Sequence, residues 1–159
     1  MDWHFSDFFI PPVEGVAMLQ SKLFSAYPDE ILAQQQDLII VLERIVGAQR
    51  AIINPSGLYD MIRDVAKSYG LQLFVHKPKN NMTKQEEIPL FRRAVALVGV
   101  HGAGLSNMIF CKPGTAIIEL PVQPAKVSEL SRVASAANLP YYTVPSFSMY
   151  QTEENYQYV

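Results

Sequence analysis

The sequence predicts an α/β fold, a doubly wound parallel sheet with helices on both faces. Three observations indicate it. Short apolar runs without charged residues recur along the chain, as expected for strands that are covered on both faces. Segments with apolar residues at helical spacing separate these runs, as in repeated crossover connections. With 159 residues and a hydrophobic fraction of 49%, the chain suits one compact domain with a single core.

Five strands are predicted, and helices precede and connect them. Residues 1–15 are aromatic, irregular and interrupted by proline. The predicted strands are 38–42, 71–75, 94–100, 115–120 and 141–144. The predicted helices are 16–26, 29–36, 54–69, 83–94, 105–110 and 126–137. The last residues, 147–159, are polar and aromatic without periodicity, so we predict a tail there.

Local signals bound two of these helices. Asn54 or Ser56 can cap the helix before the second strand, and Gly70 stands where its C-terminal cap belongs. Thr83 and Glu86 have the spacing of a capping box. The two helices that flank the second strand are therefore bounded by their own sequence.

The order of the elements from the first strand onward, βαβαβαβαβ, predicts a Rossmann-like sheet, because right-handed crossovers place helices on both faces. We assign residues 1–37 to an N-terminal arm with helices, 38–146 to the Rossmann-like domain and 147–159 to a C-terminal tail. In such folds, ligands bind beyond the carboxyl ends of the strands. That edge of the sheet is where we expect the functional site.

The third strand leads into a glycine-rich loop that contains one histidine, His101-Gly102-Ala103-Gly104. Two glycines allow a sharp turn and a close approach of the backbone to a ligand. The helix predicted after them has unpaired N-terminal amides that favour bound negative charge. The spacing matches neither a P-loop nor a GxGxxG dinucleotide motif. A phosphate-sized anion site and a simple strand-to-helix turn are both compatible with this pattern.

Polar side chains follow the predicted strands at the same edge of the sheet. Arg44, His76, His101 and Glu119 lie at or just beyond the ends of four strands, where one crevice can collect them. Arg44 and Arg50 are candidate partners of a diphosphate, because guanidinium groups match phosphate oxygens, but both could equally be surface arginines. His101 can contact phosphate, act as an acid or base, or bond within its own loop. Glu119 can accept hydrogen bonds from ribose hydroxyls, or it can cap a helix or form an ion pair while buried.

The composition argues against several other functions. A formal charge of −2 gives no reason to expect nucleic acid as a partner. The single cysteine, Cys111, rules out a disulfide framework within the chain and a cysteine-based zinc cluster. The chain has no metal-ligand motif and no hydrolase nucleophile motif, so we predict no metal and no covalent nucleophile. No apolar run reaches the roughly 18 residues that a membrane span requires, so we predict no span in this chain.

Similarity to the signature of glycosyltransferase family 61 covers about residues 38–122. It rests on VGVHGAGLSN at 98–107, on Phe110, on Pro113-Gly114 and on IIEL at 117–120. The upstream segments RAIIN at 50–54 and EEIPLFRRA at 86–94 fit the same pattern in the same order.

The resemblance implies the C-terminal, donor-binding half of a GT-B type glycosyltransferase. Such an enzyme transfers a sugar from a UDP-sugar to a hydroxyl group of a glycan or glycoprotein acceptor, usually with inversion and without a bound metal or other cofactor. By the resemblance, the glycine-rich loop contacts the diphosphate, Arg50 and Arg44 neutralise it, and Glu119 lies near the nucleoside. The loop residues assigned in this way are His101, Gly102, Ala103, Gly104, Leu105, Ser106 and Asn107.

The acceptor side of the reaction is expected elsewhere. The family supplies its acceptor cleft and its base from an N-terminal half, so we expect an N-terminal domain or a partner chain to complete the enzyme. The catalytic base is not assigned, and Asp37, Asp60 and Asp64 are interpreted as cap or surface residues. The competing interpretation is a non-catalytic or truncated nucleotide-binding or interaction module. The sequence does not assign a cellular compartment. The ER or Golgi lumen is expected for a eukaryotic protein and the cytoplasm for a bacterial one.

Overall fold

Helices and parallel strands alternate along the chain. The computed structural model describes residues 13–44, 52, 54–77, 82–120, 129–144, 149–152 and 155–158. The helices are α1 (Val13–Phe24), α2 (Asp29–Leu32), α3 (Pro55–Ser68), α4 (Lys84–Arg92) and α5 (Glu129–Ala136). The strands are β1 (Leu38–Leu42), β2 (Gln72–His76), β3 (Ala94–Val100), β4 (Ala116–Leu120), β5 (Tyr141–Thr143), β6 (Met149–Thr152) and β7 (Asn155–Tyr158). A 3₁₀ helix, Ala103–Phe110, lies between β3 and β4.

Five parallel strands form the central sheet in the order β2-β1-β3-β4-β5. Helices pack against the sheet, so the predicted α/β, Rossmann-like fold is confirmed. After β1 the chain forms β2 on one side of β1 and then returns to form β3 on the other side. The direction of strand addition therefore reverses between β1 and β3, which is where doubly wound sheets bind their ligands.

The alternation of side chains along β1 divides the core into two layers. Leu38, Ile40 and Leu42 belong to the layer that also contains residues of α4, the 3₁₀ helix and α5. Ile39 and Val41 belong to the layer that contains residues of α3. Because both layers exclude water, β1 is apolar at every position, as the sequence predicted for a strand covered on both faces.

The predicted helix caps are present. The Asn54 side chain accepts a hydrogen bond from the Gly57 N–H at 3.1 Å and starts α3. Gly70 follows the end of α3 with a φ of 68°, a conformation that favours glycine. At α4 the Thr83 N–H donates to the Glu86 carboxylate at 2.8 Å and completes the capping box. The hydrogen bonds from Thr83 lower the pKa of Glu86.

The second predicted helix, 29–36, is only one turn long in the structure. The chain after this turn runs along the amino ends of the strands and is held there by tertiary hydrogen bonds. Gln36 Nε2 donates to the Ala94 carbonyl at 2.5 Å. Lys112 Nζ donates to the Gln34 carbonyl. These bonds take the place of helical ones, and helical composition alone does not reveal them.

The C-terminal segment differs from the predicted tail. Strands β6 and β7 pair in an antiparallel two-stranded sheet, with Met149 opposite Tyr158 and Thr152 opposite Asn155. The predicted tail, 147–159, therefore contains two strands that the sequence did not predict. Tyrosine and threonine favour strands, but two strands of four residues each are too short to give a clear periodic pattern.

Cys111 follows the 3₁₀ helix and is fully buried. Burial raises the pKa of its thiol to about 12, and the thiolate is the reactive form. We therefore expect the native protein at neutral pH to resist dithionitrobenzoate under conditions in which the urea-denatured protein reacts completely. The labelling rate should rise with urea only as the fraction of unfolded protein rises. Labelling of the native protein at the rate of a free thiol would contradict this burial.

Candidate functional site

One row of residues crosses the sheet near the carboxyl ends of its strands. Leu42 of β1 lies opposite His76 of β2 on one side and opposite Gly99 of β3 on the other. Gly99 in turn lies opposite Glu119 of β4. Since neighbouring strands are about 4.8 Å apart, His76 and Glu119 are separated by roughly 14 Å. His76 and Glu119, both candidate site residues from the sequence, thus lie at the same edge of the sheet. Leu42 and Gly99 lie between them.

The loop after β3 turns sharply at Gly102. Its backbone has a φ of 147° and a ψ of 179°, a conformation accessible essentially to glycine alone. The next turn is helical, and the Leu105 N–H donates to the Gly102 carbonyl at 3.0 Å. The helix predicted at 105–110 is present, but it is a 3₁₀ helix that begins at Ala103.

The start of the 3₁₀ helix provides main-chain donors at the loop. Within the part of the chain that the structure describes, the N–H groups of Ala103 and Gly104 have no main-chain acceptor. Ala103, Gly104 and Ser106 are exposed, and Asn107 is half-buried. Unpaired N–H groups at the start of a helix favour a bound anion. The loop therefore has the kind of donors that a phosphate site requires.

Leu105 anchors the loop to the sheet. Its side chain is fully buried. An added Cβ at Gly99 would lie 3.1 Å from Leu105 Cδ2 and 3.3 Å from Leu42 Cβ. These distances are tighter than ordinary packing, so the lack of a side chain at Gly99 makes room for Leu105. Leu105 thus holds the loop in place by packing in the core.

His101 and Glu119 form a close pair beside the loop. His101 Nδ1 lies 2.5 Å from Glu119 Oε1. The Glu119 side chain is 1% exposed and the His101 side chain is 32% exposed, so the carboxylate lies inside and the ring reaches the surface. The His101 N–H donates to the Leu120 carbonyl at 3.0 Å and holds the main chain beside the pair. The buried Glu119 carboxylate is therefore within hydrogen-bond distance of the His101 ring.

Arg44 follows β1 and reaches the same loop. Its Nη2 donates to the His101 carbonyl oxygen at 3.4 Å. Because β1 and β3 are neighbours, the guanidinium lies where the direction of strand addition reverses, next to the glycine-rich loop. Arg50 lies outside the residues that the structure describes, so its role stays a prediction.

A second pair of histidine and carboxylate lies at the other end of the row. His76 Nε2 lies 3.1 Å from Glu87 Oε1, and Lys84 also binds the Glu87 carboxylate. The His76 ring packs against Phe91, with 5.5 Å between the ring centroids. Sequence reasoning missed this pair, because spacing does not show which carboxylate a histidine at a strand end will meet. We interpret the pair as a structural link between β2 and α4.

An open cavity of about 650 Å³ lies at the opposite edge of the sheet. Residues before β4 and β5 and residues of α5 line it, among them Pro113, Ser135 and Asn138. None of the lining side chains is charged. The cavity is therefore distinct from the predicted anion site.

Other candidate chemistry lies away from the loop. Asp37 pairs with Arg93 at 2.6 Å, and the hydrogen bond from Arg93 holds the pKa of Asp37 below its usual range. Asp60 pairs with Arg63 on α3. Across the described residues, no group of three or more histidine, cysteine or acidic side chains could hold a metal ion. No helix in the described ranges is long and apolar enough to cross a membrane.

Comparison with known proteins points to one family. The family model described as Glycosyltransferase 61 matches residues 7–118. No curated protein matches the chain. The matched range includes β1, β2, β3 and the glycine-rich loop, so it contains every predicted site residue except Glu119.

Proposed function

This chain belongs to glycosyltransferase family 61, and from that premise we propose that the carboxyl edge of its sheet binds the UDP-sugar donor of a glycosyl transfer. Sugar transfer is the general activity of this family. The proposal adds that the domain is the donor-binding half of a GT-B enzyme. The donor diphosphate lies against the glycine-rich loop.

The arrangement of the loop carries the proposal. Gly102 turns the chain so that the N–H groups of Ala103 and Gly104 come at the start of a helix. Arg44 donates to the loop carbonyl of His101, so its permanent charge lies beside these donors. The N–H groups at the helix start and the Arg44 guanidinium thus both create positive potential between β1 and β3, where the direction of strand addition reverses. Doubly wound sheets bind phosphates at this position. Arg50 adds a second guanidinium in the proposal.

The proposed reaction is a direct displacement at the anomeric carbon. The acceptor oxygen forms a bond to this carbon as the bond from the carbon to the diphosphate oxygen breaks, which inverts the configuration. The electron pair of the broken bond stays on UDP, and the acceptor proton passes to a general base. The loop N–H groups, Arg44 and His101 stabilise the charge that grows on UDP, with no metal ion in the proposed mechanism.

The acceptor in this proposal is a hydroxyl group of a glycan or a glycoprotein. No carboxylate of the described site is assigned as the base, since Glu119 is buried and bound to His101. We therefore place the base and the acceptor cleft in an N-terminal domain or a partner chain.

Calorimetric titration of the chain with UDP, with and without EDTA, tests the donor site. We expect UDP to bind equally in both conditions. His101→Ala should weaken binding by about 10- to 100-fold, the usual effect of losing a hydrogen bond to a charged group. Arg50→Ala should weaken it to a similar extent. His76→Ala is the matched control, because it removes the histidine of the other histidine–carboxylate pair and should leave UDP affinity unchanged.

The outcomes separate the alternatives. A folded chain that does not bind UDP would overturn the donor-site proposal. Binding that requires a divalent metal would overturn the metal-independent mechanism alone. UDP binding together with no sugar transfer by the full-length protein would indicate the non-catalytic nucleotide-binding module.

A further inference from the structure

Glu119 is a buried carboxylate beside the glycine-rich loop. Its side chain is 1% exposed, and its Oε1 lies 2.5 Å from His101 Nδ1. A buried carboxylate is stable only when it is paired and hydrogen-bonded. The histidine ring supplies that pairing, and it is the part of the pair that reaches the surface.

The register of the sheet explains why Glu119 lies inside. Glu119 is opposite Gly99 on the neighbouring strand, and Leu105 packs over Gly99. The 3₁₀ helix that contains Leu105 therefore packs on β3 next to Glu119. A carboxylate that accepts hydrogen bonds from the two hydroxyls of a ribose must be open to the ligand. The burial of Glu119 beside His101 fits a role that acts through His101.

We propose that Glu119 is a positioning residue, which holds the His101 ring so that Nε2 faces the donor diphosphate, and that Glu119 does not itself contact the ribose. This inference rests on the proposed donor site and deepens it. The two ring nitrogens lie on opposite sides of an imidazole, so fixing Nδ1 on Glu119 also fixes the direction of Nε2. The carboxylate accepts from Nδ1–H and fixes the orientation of the ring.

The consequence for the reaction concerns the leaving group. A ring that is held in place needs no reorganisation as charge develops on UDP. Without Glu119 the ring would lose the contact that fixes Nδ1, and the same histidine would stabilise the diphosphate less well.

A thermodynamic cycle tests this role. The affinity of the chain for UDP, 2′-deoxy-UDP and uridine is measured for wild type, Glu119→Gln, His101→Ala and the double variant. Glu119→Gln should weaken UDP binding about 10-fold, and it should weaken 2′-deoxy-UDP binding by the same factor. In the His101→Ala background it should cause no further loss, because interacting residues are not additive. Uridine, which has no phosphate, should bind equally to all four proteins.

Glu87→Gln is the matched control, since it neutralises the carboxylate of the other histidine pair and should leave UDP affinity unchanged. A loss that is smaller for 2′-deoxy-UDP than for UDP would show a ribose contact and overturn the proposal. A full additional loss in the His101→Ala background would also overturn it. Neither result would affect the donor site itself, whereas wild-type protein that does not bind UDP would overturn that site.

Nuclear magnetic resonance of the His101 ring gives a readout that does not need a ligand. A low-field, slowly exchanging Nδ1 proton in the wild type that moves upfield in Glu119→Gln supports the pair. Absence of an Nδ1 proton in the folded wild type would overturn the positioning role. Circular dichroism of each variant verifies that it folds.

Discussion

Gly102→Ala is expected to weaken UDP binding by about 100-fold or more. At a φ of 147° and a ψ of 179°, a residue with a Cβ is strained by about 1–3 kcal/mol. Relief of this strain requires another path for the loop, which displaces the N–H groups of Ala103 and Gly104 and the adjacent His101. The strain and the lost contacts act together. Calorimetric titration with UDP measures the combined loss.

Gly114→Ala is the matched control for this variant. Gly114 also has a positive φ, 87°, and an added Cβ there would meet nothing within 4 Å. It lies before β4, at the edge of the sheet opposite the glycine-rich loop. We expect Gly114→Ala to lower the stability of the protein and to retain wild-type UDP affinity. If Gly102→Ala binds UDP as tightly as wild type, the loop is not the diphosphate site.

Leu105→Ala is expected to lower the free energy of unfolding by about 2–5 kcal/mol, the range for truncation of a fully buried leucine. The side chain is 0% exposed and packs over Gly99, which has no side chain that could move into the space left by the truncation. Urea denaturation followed by circular dichroism measures the change.

Leu105→Ala should also weaken UDP binding at urea concentrations where the variant remains folded, because the loop loses its anchor. Leu139→Ala is the matched control, as Leu139 is 4% exposed and lies just before β5. It should cost a similar amount of stability and leave UDP affinity unchanged. Equal UDP affinity of Leu105→Ala and Leu139→Ala would show that the anchor does not position the loop.

Most of the sheet could be predicted from the sequence, because its signals are local. The run of residues 38–42 is apolar at every position, which requires cover on both faces. Asn54 and Thr83 are caps whose partners lie three residues away, at Gly57 and Glu86. Each of these signals lies within a short window of sequence, and the strand and both helix caps are present in the structure.

The position of Arg44, His101 and Glu119 at one edge of the sheet was predicted, since the carboxyl edge of a parallel sheet collects the residues that follow its strands. The pairing of these residues was not decided by sequence. Whether Glu119 faces a ligand or pairs with His101 depends on the register with Gly99 and on the packing of Leu105. Both are contacts between distant parts of the chain. The same reason explains why the pair of His76 with Glu87 was missed.

The packing of Leu105 over Gly99 has a consequence for the kinetics of ligand binding. The loop is fixed by the same packing that stabilises the sheet, so its order is established when the protein folds. In the proposed complex, a ligand that arrives at the loop does not have to immobilise it, and little chain entropy is lost at the loop. Association is then limited by the encounter of ligand and protein rather than by closure of this loop, and differences in affinity between ligands will lie mainly in how fast each one leaves.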